Sequence, residues 1–261
     1  MASRKGSVSL VGAGPGDPEL LTVGALRRLQ RADVVVHDAL VGAEILKVCP
    51  PTTRRINVGK RAGARGPSQQ WINGLLVSEA RAGRRVVRLK GGDPFLYGRG
   101  GEEALALTRA AVAWEIVPGV SSALAVPASA GIPLTHRGLS SSVAIMPGHV
   151  ATDSAAVDWA ALNTVHTLVV LMAGARVAEI SRAVLKGGRP GSCPVAIIQR
   201  GTLDAQQTLV STLGALARRG PRERVDTPAL LVIGEVVRLS SQLAVWRDTL
   251  LEPGVGDVRI A

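Results

Sequence analysis

The chain has 261 residues and a net charge of +11, from 31 Lys and Arg against 20 Asp and Glu. Hydrophobic residues make up 46%, enough for a sizeable core, but aromatics only 2%, too few to build a stacking platform for single-stranded nucleic acid. No Lys/Arg run exceeds two residues, so no nucleic-acid partner is expected. Cys49 and Cys193 stand far apart and the four His lack ligand spacing, so neither a disulfide framework nor a metal is expected. The longest clean apolar stretch after the N-terminal strand, Thr167 to Ala173, falls far short of the roughly 20 residues that span a bilayer. The apolar run after Arg4 and Lys5 is broken by Gly12, Gly14, Pro15 and Gly16 before it can form a leader. A soluble, cytoplasmic protein with no membrane partner is expected. Only five of the 31 basic residues are Lys. The arginine surplus fits either a polyanionic small substrate, whose carboxylates suit the guanidinium fork, or an arginine-rich codon bias.

In chain order, Val8-Ser9-Leu10-Val11 is a short apolar strand running into the turn Gly12-Ala13-Gly14-Pro15-Gly16-Asp17. Leu20, Leu21, Ala25, Leu26 and Leu29 recur at helical spacing with Arg27, Arg28 and Arg31 opposite, and Thr22 suits an N-cap. Val34-Val35-Val36 predicts a buried strand ending at His37-Asp38, and Ile56-Asn57-Val58 a third ending at Gly59-Lys60. Residues 69–82 predict a helix, and Val86-Val87-Arg88-Leu89 a fourth strand ending in Lys90-Gly91-Gly92-Asp93-Pro94. Glu102 to Ala111 is then helical and Trp114-Glu115-Ile116-Val117 a fifth strand. This alternation predicts a mostly parallel, doubly wound sheet, whose ligands sit beyond the carboxyl ends of the strands. The clusters 12–17, 37–38, 59–61 and 90–99 all fall there, so four loops should converge on one edge.

Pro118-Gly119-Val120-Ser121-Ser122 reads as a hinge into a second unit. Strands are predicted there at 143–146, 167–171, 195–198 and 229–233, and helices at 175–186 and 211–219. The expected fold class is α/β, with α/β domains at 1–118 and 119–261.

The first turn invites comparison with the dinucleotide fingerprint G-x-G-x-x-G, but Asp17 stands where the third glycine is needed. A carboxylate at that position would also repel a pyrophosphate, which argues against a dinucleotide-dependent oxidoreductase. The run Lys90-Gly91-Gly92-Asp93-Pro94-Phe95-Leu96-Tyr97-Gly98-Arg99-Gly100-Gly101-Glu102-Glu103 lacks the ending of a phosphate loop. Its paired glycines allow close backbone approach to a ligand. By itself it says only that this is a binding loop.

The stretches 11–22, 90–103 and Gly131-Ile132-Pro133-Leu134-Thr135-His136-Arg137 resemble the uroporphyrinogen-III C-methyltransferases, within the tetrapyrrole methylases. The resemblance runs over about residues 8 to 246, and the Gly-Arg-Gly-Gly-Glu-Glu ending at 98–103 together with Gly201-Thr202 and Gln206 is the part specific to that branch. It implies two α/β domains, the N-terminal sheet mostly parallel and the C-terminal one mixed, with S-adenosylmethionine and the active site in an interdomain cleft, in a homodimer. Carried over by position, Pro15, Gly91, Gly92, Asp93, Leu96, Ser121, Ser122, Met172 and Gly201 match cofactor-binding positions. Asp38 matches a proposed base, Lys60 a proposed proton donor or substrate anchor, and Arg99 and Glu102 residues implicated in substrate binding or proton transfer. Asp38 ranks first as the base and Arg99 second.

The implied reaction methylates C2 and C7 of uroporphyrinogen III, giving precorrin-2. The sulfonium methyl is already electrophilic, so the protein must hold a pyrrole carbon in line with it. Methylation makes the ring cationic, and a carboxylate beside the pyrrole nitrogens can offset that charge and take the released proton. The chain departs from the family pattern at His37, Arg65, Pro147 and Ala173. His37 either tunes Asp38 through a hydrogen bond or fills space, the second being favoured, and Ala173 could narrow the adenine pocket. A later corrinoid-precursor methylase is the rival in the same class, and residues 98–103 argue against it.

Overall fold

The computed structural model describes residues 5–59, 66–148, 157–222 and 224–243. The chain divides into two units: Met1–Val126 with Gln199–Gln207 and Asp226–Ala229, and Pro127–Ile198 with Thr208–Val225 and Leu230–Ala261.

The first unit is built on five strands, β1 (Ser7–Gly12), β2 (Val34–His37), β3 (Arg54–Asn57), β4 (Arg85–Lys90) and β5 (Ala113–Val117). They lie in the order β3-β2-β4-β1-β5 and every pairing is parallel. A parallel sheet needs cover on both faces, which is why β2 reads as an unbroken apolar run. Helices α1 (Val23–Leu29) and α2 (Ala43–Lys47) supply one cover, packing Ala25, Leu29 and Ile45 on Val11, Val35, Val87 and Leu89. Helices α3 (Gln69–Arg81) and α4 (Gly100–Arg109) supply the other, packing Ile72, Leu76, Ala104 and Leu107 on Val8, Leu10, Val34, Val36 and Val86. Connections from β1 and β2 therefore leave to one face and that from β4, seated between them, to the opposite face. Such divergence opens a crevice at the carboxyl ends of neighbouring strands.

Local chemistry starts the helices where the sequence suggests. The Thr22 hydroxyl accepts from the amide of Ala25 at 3.2 Å, and that of Ser68 from the amide of Trp71 at 3.1 Å. Three boundaries move. The third strand is Arg54–Asn57 instead of 56–58, because it is an edge strand whose arginines face solvent and only its register with Val34 to His37 defines it. The helix expected at 102–111 is α4, begun two residues earlier at Gly100. Residues 118–122, read as a hinge, lead directly into α5 (Ser122–Ser129), where the Ser121 hydroxyl accepts from the amide of Ala123 at 3.2 Å.

The second unit carries a sheet in the order β6 (Val143–Pro147), β7 (Thr167–Leu171), β10 (Ala229–Ile233), β8 (Pro194–Gln199), β9 (Gln207–Thr212). It is mixed: β6 runs parallel to β7, and β10 antiparallel to it. Helix α6 (Val177–Lys186) and helix α7 (Leu213–Arg219) bury Val177, Ile180, Val184, Leu213 and Leu216 in its core. Strand β9 was not expected, and it takes the first two residues of the helix read at 211–219. No described helix is long and apolar enough to cross a membrane.

Candidate active site

The carboxyl ends of β1, β4 and β5 meet backbone against backbone. Gly14 and Gly92 exchange a pair of hydrogen bonds of 3.2 and 2.7 Å, and the Ala13 amide donates to the Lys90 carbonyl at 2.7 Å. A Cβ on Gly12 would lie 2.6 Å from the Gly92 carbonyl oxygen, and one on Gly119 would strike the same atom. These glycines are thus required by packing. Gly91 is different: an added Cβ would meet only the Leu40 Cβ, at 4.0 Å. Its glycine leaves an exposed hollow at the strand end that nothing in the fold demands, and an incoming ligand could use it.

Asp93 ties this corner together. Its Oδ1 accepts from the Phe95 amide at 2.8 Å and its Oδ2 from the Gly119 amide at 3.0 Å, leaving further lone pairs on both oxygens. The backbone of Ser121 and Ser122 faces Gly92, with the Ser122 nitrogen 3.7 Å from where a Cβ would stand. Pro15 and Leu96 are half-buried in the adjoining loops. Gly201 packs on the Val126 side chain so closely that a Cβ would overlap it, and the Thr202 hydroxyl accepts from the Asp17 amide at 3.2 Å. The Gly-Thr pair thereby holds the first glycine turn. Asp17 accepts from the Glu19 amide at 2.9 Å, capping a single 3-10 turn.

The loop after β4 coils tightly. Tyr97 and Arg99 sit at φ 54° and 60°, a left-handed conformation that costs a non-glycine residue on the order of 1–3 kcal/mol. The turn brings the Arg99 guanidinium onto Glu102, with Nε–Oε1 at 2.7 Å and Nη2–Oε2 at 2.8 Å. Both side chains are about half exposed, at 53% and 52%. The hydrogen bond with Glu102 raises the pKa of Arg99, and the bond with Arg99 lowers that of Glu102.

Asp38 stands at the end of β2, where the α3 and α4 face meets the loops. Its carboxylate is bonded through Oδ1 to the guanidinium of Arg88, a buried residue of β4. Oδ2 takes no other hydrogen bond among the described residues. Behind them lies Glu103, fully buried, whose Oε1 accepts from Arg88 Nε at 3.0 Å, Lys90 Nζ at 2.9 Å and Gln69 Nε2 at 3.1 Å. Burial, followed by repulsion from Arg88, holds the pKa of Lys90 below the ordinary lysine value, against the attraction of Glu103 and Asp38. Arg88, Lys90 and Glu103 were not singled out as site residues from the sequence. The signal available was an Arg and a Lys on one side of a strand otherwise buried on both faces.

His37 is buried on the α1 and α2 face, and its Nδ1 lies 3.1 Å from the carbonyl of Asp38 instead of its carboxylate. Met172, after β7, is 57% exposed and left-handed at φ 57°, next to Gly148, whose amide donates to the Leu171 carbonyl at 2.6 Å. Ala173 is fully buried, in the hydrophobic core of the second unit. Lys60, Arg65 and His149 lie outside the described residues. A cavity of about 430 Å³ lined by Arg27, Arg28, Arg31, Arg85, Ser9 and Glu115 opens near the amino ends of β1 and β4, away from these loops.

The sequence matches the Tetrapyrrole (Corrin/Porphyrin) Methylases over residues 7–217. It is 50% identical over 241 residues to Siroheme synthase 1 of Yersinia enterocolitica, covering 92% of this chain and 51% of that one. It is 48% identical over 252 residues to Siroheme synthase 1 of Pectobacterium atrosepticum, covering 95% and 52%. The chain thus spans about half the length of these relatives. Among solved structures it resembles uroporphyrin-III C-methyl transferase of Thermus thermophilus complexed with S-adenyl homocysteine, with a TM-score of 0.78 and 42% identity over 90% of this chain and 100% of that one. A cobalt precorrin-4 methyltransferase follows at a TM-score of 0.75 and 26% identity, covering 88% and 95%. With its parallel first sheet, its mixed second sheet and a family match over more than two hundred residues, the chain belongs to the tetrapyrrole methylases.

Proposed function

We propose that this chain is an S-adenosylmethionine-dependent C-methyltransferase that methylates uroporphyrinogen III at C2 and C7, giving precorrin-2. The observation that carries this reading is the 42% identity to the Thermus enzyme over that enzyme's whole length. Bound S-adenosylmethionine supplies the electrophilic methyl group. Gly91, Gly92, Asp93, Leu96, Pro15, Ser121, Ser122 and Gly201 hold it, with Met172 as a further contact. The open hollow at Gly91 and the backbone of Ser121 and Ser122 beside Gly92 suit a ligand bound by main-chain groups.

Asp38 takes the pyrrole-side proton and offsets the positive charge that methylation creates. Its Oδ2 is available for this while Oδ1 is held by Arg88. Arg99 is a poor base, since its pairing with Glu102 strengthens its hold on the proton. It serves instead to receive a substrate carboxylate, with Glu102 orienting it. Lys60 is the remaining proton donor or anchor. The enzyme acts as a cytoplasmic homodimer.

The test is Asp38→Asn, which keeps the shape and removes the charge. Turnover should fall on the order of 10²-fold or more, while S-adenosylhomocysteine affinity holds and the variant, which keeps an acceptor for Arg88, stays folded at the assay temperature. A folded variant that binds S-adenosylhomocysteine and methylates at the wild-type rate would remove Asp38 from the mechanism.

A further inference from the structure

We propose that Glu103 is a positioning residue for methyl transfer, fixing the carboxylate of Asp38 through the buried guanidinium of Arg88. The inference rests on the assignment of Asp38 as the proton acceptor.

Arg88 leaves β4 on the face covered by α3 and α4 and has no freedom left. Nη2 bonds Asp38 Oδ1, Nε bonds Glu103 Oε1 at 3.0 Å, and Nη1 reaches the carbonyls of Val36 and Leu89 at 3.3 Å each. A planar fork held on three sides transmits its placement to whatever it bonds. Asp38 is thereby presented with one oxygen pinned and the other open.

Stability alone does not account for Glu103. Its Oε2 is buried and has no hydrogen-bond partner among the described residues. A buried carboxylate with an unsatisfied oxygen is costly, and apolar replacements of whole buried ion clusters are often neutral or stabilising. What Glu103 does provide is a counter-charge that keeps Arg88 and Lys90 in place without competing for Asp38. With those two cations from β4, Asp38 from β2 and Glu103 from α4, the ionised set is neutral; Gln69 of α3 adds a neutral donor. The reacting ring gives up its proton and becomes neutral as Asp38 gains that proton. The cluster then carries a single positive charge, and without Glu103 it would carry two.

The experiment is a double-mutant cycle on the full chain: wild type, Glu103→Gln, Asp38→Asn and the double variant. Methylation of uroporphyrinogen III is followed on each preparation together with melting temperature and S-adenosylhomocysteine affinity. Glu103→Gln should lower kcat on the order of tenfold or more, with KM and S-adenosylhomocysteine affinity unchanged. In the Asp38→Asn background the same change should cost no further rate, because its effect passes through Asp38. Equal losses in both backgrounds, or a folded Glu103→Gln with wild-type kcat, overturn the inference and leave the methyltransferase reading standing. A wild type that does not methylate uroporphyrinogen III overturns that reading instead. If Glu103→Gln does not fold, Gln69→Leu decides, since it removes one donor to Glu103 from a half-buried position. It should give a smaller kcat loss that vanishes in the Asp38→Asn background, and full kcat overturns the inference.

Discussion

Glu102 and Glu103 are adjacent on α4, yet they live in opposite environments. Glu102 is 52% exposed and forms a two-pronged pair with Arg99 on the surface. Glu103 is fully buried and shares one oxygen among Arg88, Lys90 and Gln69. The phase of the helix decides which is which. Gly100, Glu103, Ala104 and Leu107 form the buried stripe of α4, and Glu102 falls outside it. The same residue type thus stands in two settings one position apart, a surface partner of Arg99 and a buried counter-charge to Arg88 and Lys90.

The largest expected effect falls on the buried member. Glu103→Ala leaves Arg88 and Lys90 buried without their shared anion, and removing one partner of a buried ion cluster costs about 3–5 kcal/mol. Denaturation by urea should show an unfolding free energy lowered by that amount, through a lower midpoint at unchanged slope. A variant as stable as wild type would mean that water or a shift of Arg88 replaces the carboxylate.

A smaller effect comes from Lys90. Its folded-state pKa is lowered, so between that value and the unfolded one, about 10.4, the unfolded chain binds more protons. Stability contributed by this group therefore rises with pH across that window, and below it the contribution is constant, because both states are protonated. Comparing wild type with Lys90→Met cancels the other titrating groups. The stability difference between the two should shift in favour of wild type as pH is raised toward the unfolded-state value. A constant difference would show that Glu103 fully compensates the burial.

The strands of the first sheet were legible because a parallel sheet covered on both faces demands apolar runs such as Val34-Val35-Val36 and Val8 to Val11. The edge strands were not. β3 begins with two exposed arginines and β9 alternates exposed and half-buried positions, so neither carries the hydrophobic signal. Pro127 and the preceding Pro118-Gly119 masked α5, which is nevertheless capped by Ser121. At the site, the loops after β1, β2 and β4 were legible from their glycines and charges. The cluster behind Asp38 was not, because placing Glu103 inward requires the start of α4, and that start depends on Arg99 adopting a left-handed conformation.

The smallest effect should be on the exposed member, and it separates binding from folding. Arg99 and Glu102 are both about half in solvent, where the two-pronged geometry is screened and the cost of ordering two long side chains offsets much of the attraction. Glu102→Gln should accordingly leave the melting temperature where it is. If, as proposed, Glu102 orients Arg99 toward a substrate carboxylate, the consequence should appear in KM for the tetrapyrrole. Added salt should raise the wild-type KM by screening the same contact, and should raise it less in Arg99→Gln, where the contact is already gone. S-adenosylhomocysteine affinity should be far less sensitive to salt in every case. An Arg99→Gln enzyme with wild-type KM and wild-type salt dependence would assign the Arg99–Glu102 pair to holding the strained turn at 97–99, and its melting temperature would then have to fall.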